Sequence, residues 1–255
     1  MEEERFHVVG TTGIGMKVLR GIIVGVDSMA TGLGFGEGPE QSNPPPKSST
    51  YNKFFEVCYK ISCVMAGLLI PGEAWLTDAR NEWRYSVNFA NVTMTVQQIA
   101  LYVVSILKRN HPDIAGQVRF IIAGFEKKVA NLFEVDISGS VAKDLVVVGS
   151  SVDTVREFIE DREYRPDMDH LIAAEIVREA ICKAGLKDPC TGGDSIKVYH
   201  ITADGTKLLS DDTYASLKLK FYPNDEPDEE LMVLEQGEGL HPIVDEDMPE
   251  VMEEF

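Results

Sequence analysis

The fold is decided by Gly10-Thr11-Thr12-Gly13-Ile14-Gly15-Met16-Lys17-Val18-Leu19-Arg20-Gly21-Ile22-Ile23-Val24-Gly25-Val26-Asp27-Ser28. Residues 11–18 and 21–27 are two runs of branched and apolar side chains of strand length, with a turn at Arg20-Gly21 between them. Their length and their Val and Ile content suit antiparallel neighbours. One run opens on a threonine preceded by glycine, and the other closes on a carboxylate.

Downstream, residues 32–49 are rich in Gly, Pro and Ser, hold Pro44-Pro45-Pro46, and read as a mobile surface loop. Strands follow over 53–59 and 61–66. Pro71 suits a first helical turn, so a helix is expected over 71–89. A second helix, 95–109, places Ile99, Val103 and Ile106 on one face and ends at His111-Pro112. Strands return at 117–124, 130–135 and 145–148, with a turn around Ser138-Gly139. Ser151 reads as the N-cap of a helix over 152–160. A longer helix over 167–184 has Leu171, Ala174, Ile176, Ala180 and Ile181 as its apolar positions. Segments 195–202 and 207–209 form a hairpin across Asp204-Gly205. Helices that come in pairs between groups of strands indicate an α+β layered domain, with two antiparallel sheets between helix layers.

A chain of 255 residues can bury one large core. Its net charge of −18 is uneven, because the thirteen Asp and Glu beyond Pro223 have no Lys or Arg among them. The acidity argues against nucleic acid as a main partner, since phosphate would be repelled. The tail, 221–255, reads as a flexible, solvated segment. Residues 61–70 and 99–107 are the longest apolar runs and fall short of the roughly 18 residues that span a bilayer. The opening Met1-Glu2-Glu3-Glu4 lacks the basic and apolar regions of a signal peptide. Cys58, Cys63, Cys182 and Cys190 show no metal-ligand spacing and read as reduced core thiols of a cytosolic protein. No metal or cofactor is expected.

Taken alone, Gly10-Thr11-Thr12 reads as an ordinary strand start, and its chemical reading rests on Thr11. A threonine hydroxyl is a weak nucleophile and needs an adjacent base. A cut after Gly10 would give Thr11 a free α-amine, with a reference pKa of about 7.7 to 8.0, which is partly neutral at physiological pH. A lysine ammonium nearby would bias protons away from that amine and hydroxyl by like-charge repulsion. Such a lysine needs a carboxylate to hold it. Asp27 and Lys53 are the candidates, although alone the first reads as a turn former and the second as a solvated edge residue. Asp188 and Thr191, in a Lys-Asp-Pro-Cys-Thr-Gly-Gly segment, and Ser150, beside a helix start, are equally ordinary when taken singly.

Taken in order, these pieces resemble the proteasome beta family. Gly10-Thr11-Thr12 is similar to its processing site, and Val26-Asp27-Ser28 with Ala30-Thr31 to the end of its second strand. Lys53 and Met65-Ala66-Gly67 match its lysine and Met-Ala-Gly. Val148-Gly149-Ser150-Ser151 resembles its Gly-Ser element, and Lys187-Asp188-Pro189-Cys190-Thr191-Gly192-Gly193 its Arg-Asp-x-x-Ser-Gly-Gly, with threonine in place of serine. The match runs over 10–209. The resemblance implies the four-layer α-β-β-α fold of N-terminal nucleophile hydrolases. It implies a propeptide, 1–10, a catalytic domain, 11–220, and a threonine endopeptidase working inside a ring chamber in the cytoplasm and nucleus. Its partners would be other proteasome alpha and beta subunits, and its substrates unfolded polypeptides. The implied roles are Thr11 as nucleophile, Asp27 and Lys53 as the charge pair, and the Gly67 amide at the oxyanion. Ser150, Asp188 and Thr191 would orient the amine, and Thr31 would hold the substrate backbone. Met65 would line the pocket before the cut, as in the chymotrypsin-like subunit, which implies cleavage after hydrophobic residues. Met29, Gly32-Leu33, the longer loop and Leu68-Leu69-Ile70-Pro71 depart from that subunit's pattern. A structural, non-catalytic beta subunit of the same ring is the alternative.

Overall fold

The computed structural model describes residues 7–9, 11–33, 47–48, 50–110 and 112–224. Gly10, most of the 32–49 segment, His111 and the acidic tail beyond 224 lie outside the described residues. One unit ends at Phe221, and Tyr222–Phe255 form another, described only at its first three residues.

The elements are β1 (His7–Val9), β2 (Thr12–Val18), β3 (Gly21–Asp27), β4 (Ala30–Leu33), β5 (Lys47–Ser48), β6 (Phe54–Cys58) and β7 (Ile61–Gly67). Then come α1 (Leu69–Asn88), α2 (Val96–Arg109), α3 (Pro112–Ala115), β8 (Val118–Glu126), β9 (Val129–Val135), β10 (Ser140–Ala142) and β11 (Leu145–Gly149). The chain continues through α4 (Val152–Asp161), α5 (His170–Lys187), β12 (Ile196–Thr202), β13 (Gly205–Asp212) and α6 (Tyr214–Phe221). One sheet has the order β11-β2-β3-β12-β13, a second β10-β9-β8-β7-β6, and a small third β1-β4-β5, with antiparallel pairing throughout.

The period of two along each strand sorts side chains between two cores. On β8, Val118, Phe120 and Ile122 join Leu76 of α1 and Ile99, Val103 and Leu107 of α2 in one buried cluster. The alternate residues Ile121 and Ala123 meet Val24, Val26, Val146 and Val148 of the other sheet in a second cluster. Helices α1 and α2 therefore cover one sheet, and α4 and α5 cover the other. The result is the four-layer α-β-β-α sandwich expected from the order of strands and helices.

The differences are local and have identifiable causes. Helix α1 begins at Leu69, so Pro71 is its third residue, where a missing N–H forfeits no intrahelical bond. Helix α5 begins at His170 because Asp169 caps it, accepting a hydrogen bond from the Leu171 N–H. Ser151 holds the N-cap position of α4 as expected, but its hydroxyl makes no cap hydrogen bond and is engaged elsewhere. The 32–49 segment is not all loop, since Gly32 and Leu33 belong to β4 and Lys47–Ser48 form β5.

Helix α5 rests on β3 at Gly25, where an added Cβ would lie 2.1 Å from Val177 Cγ1. Gly25→Val is therefore expected to cost about 1–3 kcal/mol by overpacking. The check is a lower urea midpoint with an unchanged m-value; an unchanged midpoint would mean that α5 can lift off the sheet.

Candidate active site

Strand β3 ends on Asp27 because its carboxylate finds enough donors to be buried there. Lys53 Nζ donates to Asp27 Oδ1 at 2.8 Å and also to the Met29 carbonyl. The Thr12 N–H donates to Asp27 Oδ1 at 2.9 Å and the Gly192 N–H to Oδ2 at 2.9 Å. Asp27 and Lys53 are each only 1% exposed. Burial pushes the Asp27 carboxyl up and the Lys53 ammonium down, while their mutual attraction and hydrogen bonds oppose both shifts.

Thr11 stands immediately before β2 and is fully buried, and its hydroxyl has no hydrogen-bond partner among the described residues. Its φ of +154° is a value that a β-branched residue rarely takes, so backbone strain sits at the residue following Gly10. The Thr11 carbonyl accepts from the Ser150 N–H at 3.2 Å. That approach needs Gly149, at φ +117°, since a Cβ there would fall 1.8 Å from the Thr11 oxygen. Gly67 is constrained in the same way at the end of β7, with φ +94° and the Gln117 carbonyl 1.8 Å from any added Cβ. Thr11, Gly67, Gln117, Arg119, Ser150 and Cys190 line a cavity of about 360 Å³.

A second cluster gathers around Asp188. Its Oδ2 accepts from Ser150 Oγ, from Ser151 Oγ at 2.7 Å and from Thr191 Oγ1 at 3.1 Å. Its Oδ1 accepts from the Cys190 N–H at 2.8 Å. Burial pushes this carboxyl up, but the four hydrogen bonds together outweigh burial and hold it below its ordinary value. Thr191 Oγ1 also meets Ser151 Oγ at 3.1 Å and Thr12 Oγ1 at 2.8 Å. A chain of hydroxyls thus runs from Asp188 to the residue next to Thr11.

The fold therefore brings Thr11, Gly67 and Ser150 to one cavity, puts Asp27 and Lys53 in one buried pair, and joins Asp188 and Thr191 to Ser150. Thr31 is buried on β4 with an unpartnered hydroxyl. Met65 does not line the cavity. It is 1% exposed and packs in the helix-side core with Ala30 and Leu69. Sequence reasoning missed the parts played by Thr12, Ser151, Gln117, Cys190 and Arg119. The doubled Thr-Thr and Ser-Ser were the only available signals, and both had simpler readings as a strand start and a helix cap.

Two facing antiparallel sheets between helix layers, with a buried threonine at the head of an inner strand, define, by architecture, the N-terminal nucleophile hydrolase fold class. Within that class, the family described as Proteasome subunit matches residues 8–201, and the chain belongs to that family. It is 26% identical over 209 residues to "Proteasome subunit beta 1" of Korarchaeum cryptofilum, covering 82% of this chain and 95% of that one. It is 29% identical over 208 residues to "Proteasome subunit beta 2" of Thermococcus gammatolerans, covering 81% and 96%. It is 26% identical over 223 residues to "Proteasome subunit beta type-5" of Spinacia oleracea, covering 84% and 74%. Membership implies assembly with other proteasome subunits in a barrel.

Removing one member of the buried pair leaves an uncompensated charge. Asp27→Asn or Lys53→Met alone is expected to cost about 3–5 kcal/mol, and the double substitution to recover much of that loss. A denaturant double-mutant cycle tests this; additive costs would show that the two side chains do not act as a pair.

Proposed function

We propose that this chain is a catalytic beta subunit, a threonine endopeptidase whose nucleophile is the Thr11 hydroxyl. One observation carries the reading: Thr11 lines a cavity and its buried hydroxyl has no partner among the described residues, while the next residue's amide is held by the Asp27–Lys53 pair. An unpartnered hydroxyl in that setting is costly to keep for structure alone.

The proposed reaction needs Thr11 to begin the chain. Cleavage of the Gly10–Thr11 bond frees the α-amine, which takes the hydroxyl proton as Oγ1 bonds the substrate carbonyl carbon. Lys53, fixed by Asp27, favours the deprotonated states through its charge. The Gly67 amide is the proposed donor to the tetrahedral oxyanion, a contribution typically worth about 3 kcal/mol. The carbon–nitrogen bond then breaks, and the leaving amine carries the proton away. Water hydrolyses the resulting threonine ester and restores the amine and hydroxyl. The Asp188 cluster, with Ser150 and Thr191, orients the amine.

Residues 1–10 are the proposed propeptide. Its described part supports this, because β1 pairs antiparallel with β4, with Val9 opposite Thr31. That is the strand addition by which a peptide substrate's main chain would bind. The uncut leader thus occupies the substrate's edge. Beside that edge, Ala30, Met65 and Leu69 form an apolar wall that supports cleavage after hydrophobic residues. The Met65 thioether is flexible enough to swing aside for an entering side chain. The free cysteines suit the reducing cytoplasm and nucleus.

Intact mass and N-terminal sequencing of the chain from assembled particles are expected to show a start at Thr11. Thr11→Ala is expected to lower this subunit's peptide hydrolysis at least a thousandfold, an order of magnitude typical of nucleophile removal, and to leave the leader attached. A mature particle retaining residues 1–10 on this chain would replace the peptidase reading with that of a structural subunit.

A further inference from the structure

The cavity beside Thr11 lies away from the strand edge that the leader occupies. His7–Val9 precede the Gly10–Thr11 bond, so they are the acyl side of that bond, and they run along β4. Among the described residues, no member of β4 lines the cavity. Its walls come from the end of β7, the turn into β8, the end of β11 and Cys190. The acyl side of a substrate is accounted for by β4, which leaves this cavity for the residue on the other side of the scissile bond.

Arg119 is the charged side chain in that wall. It pairs with Ala66 across β7 and β8, next to Gly67. Phe120 turns toward the helices, so Arg119 shares the face of Ile121 and projects between the sheets at their open end. Arg119 is exposed and makes no hydrogen bond or ion pair with another described residue. Asp136 is the carboxylate in its field; the hydrogen bonds it accepts, from the Ser138 hydroxyl and the Ser138 and Gly139 amides, all fall on Oδ1, and none comes from Arg119. The guanidinium therefore reaches the cavity with its donors uncommitted. The other described residues of the lining, Gln117 and smaller side chains, are uncharged.

We propose that Arg119 selects the first residue after the scissile bond and favours a substrate with Asp or Glu at that position. The inference rests on the peptidase reading and adds to it a specificity on the leaving side, independent of the apolar wall beside β4. A partly exposed charge pair gives a modest preference, about two- to fivefold in kcat/KM, which falls with added salt.

The test uses assembled particles in which the other catalytic subunits are inactive. Active sites are counted by covalent labelling of Thr11 with a peptide electrophile that occupies only the acyl side. Peptides identical before the cut and carrying Glu, Gln or Lys just after it are then compared per labelled site. The expected order is Glu, then Gln, then Lys. Arg119→Gln is expected to flatten the order, Arg119→Glu to reverse it, and Arg119→Lys to keep most of it. Equal cleavage of the Glu and Lys peptides, or a Glu preference that survives Arg119→Gln, would overturn the role of Arg119. Failure of the electrophile to label Thr11 would instead overturn the peptidase reading itself.

Discussion

The structure depends on one buried carboxylate. Asp27 gathers the head of β2 through the Thr12 amide, the chain entering β6 through Lys53, and the turn before β12 through the Gly192 amide. Burying two ions costs several kcal/mol each, and their attraction offsets this only when geometry is good and the remaining donors are in place. The pair is thus a poor source of net stability but a strict condition on register. Strand β2 pairs with β3 so that Gly13 faces Val26. A one-residue slip would reverse the faces of every β2 side chain and withdraw the Thr12 amide from Asp27. The same condition that keeps the sheet in register therefore fixes the position of Thr11, one residue before Thr12.

The rest of the site is divided between the two sheets. Thr11 and Gly149 belong to the ends of strands in one sheet, Gly67 and Arg119 to the other. The cavity exists only where the two sheets close over their shared core of Val24, Val64, Ile121 and Val148. Two glycines with positive φ bring backbone within reach at the rim, Gly149 against Thr11 and Gly67 against Gln117. Side chains at either position would hold the strand ends apart and remove the cavity wall.

Sequence made the long elements legible because their hydrophobic periods are clean. Helix α2 carries a full capping box at Thr95 and Gln98 and a continuous buried face, so its bounds fell within a residue of expectation. The small sheet was hidden because β1, β4 and β5 are short and flanked by Gly and Pro, where neither period can be counted. Among the site residues, Asp27 and Lys53 were readable only because the chemistry of a threonine nucleophile asks for a held cation. Ser151 was readable as the residue before a helix but not as a site residue, because nothing local says that Asp188, 37 residues on, will claim its hydroxyl. Arg119 had no signal at all. A charged residue early in a strand is commonplace, and its meaning depends on which sheet end it reaches and on what faces it there.

On the proposed peptidase reading, the strand edge and the cavity divide recognition between main chain and side chains. Pairing along β4 uses backbone groups that every peptide carries, so it sets position and direction without reading sequence. Selectivity must then come from the two walls that flank Thr11. Beside β4 the wall is Ala30, Met65 and Leu69, already packed at core density, and a side chain enters there only by displacing one of them. Across Thr11 the wall is open and mostly apolar, and it carries the Arg119 guanidinium, to which no other described residue hydrogen-bonds. Filling an open charged cavity disturbs no packing, whereas entering the closed apolar one requires Met65 or Leu69 to move. On this reading, discrimination on the leaving side acts without rearrangement, and discrimination on the acyl side is coupled to the mobility of the core beneath β4.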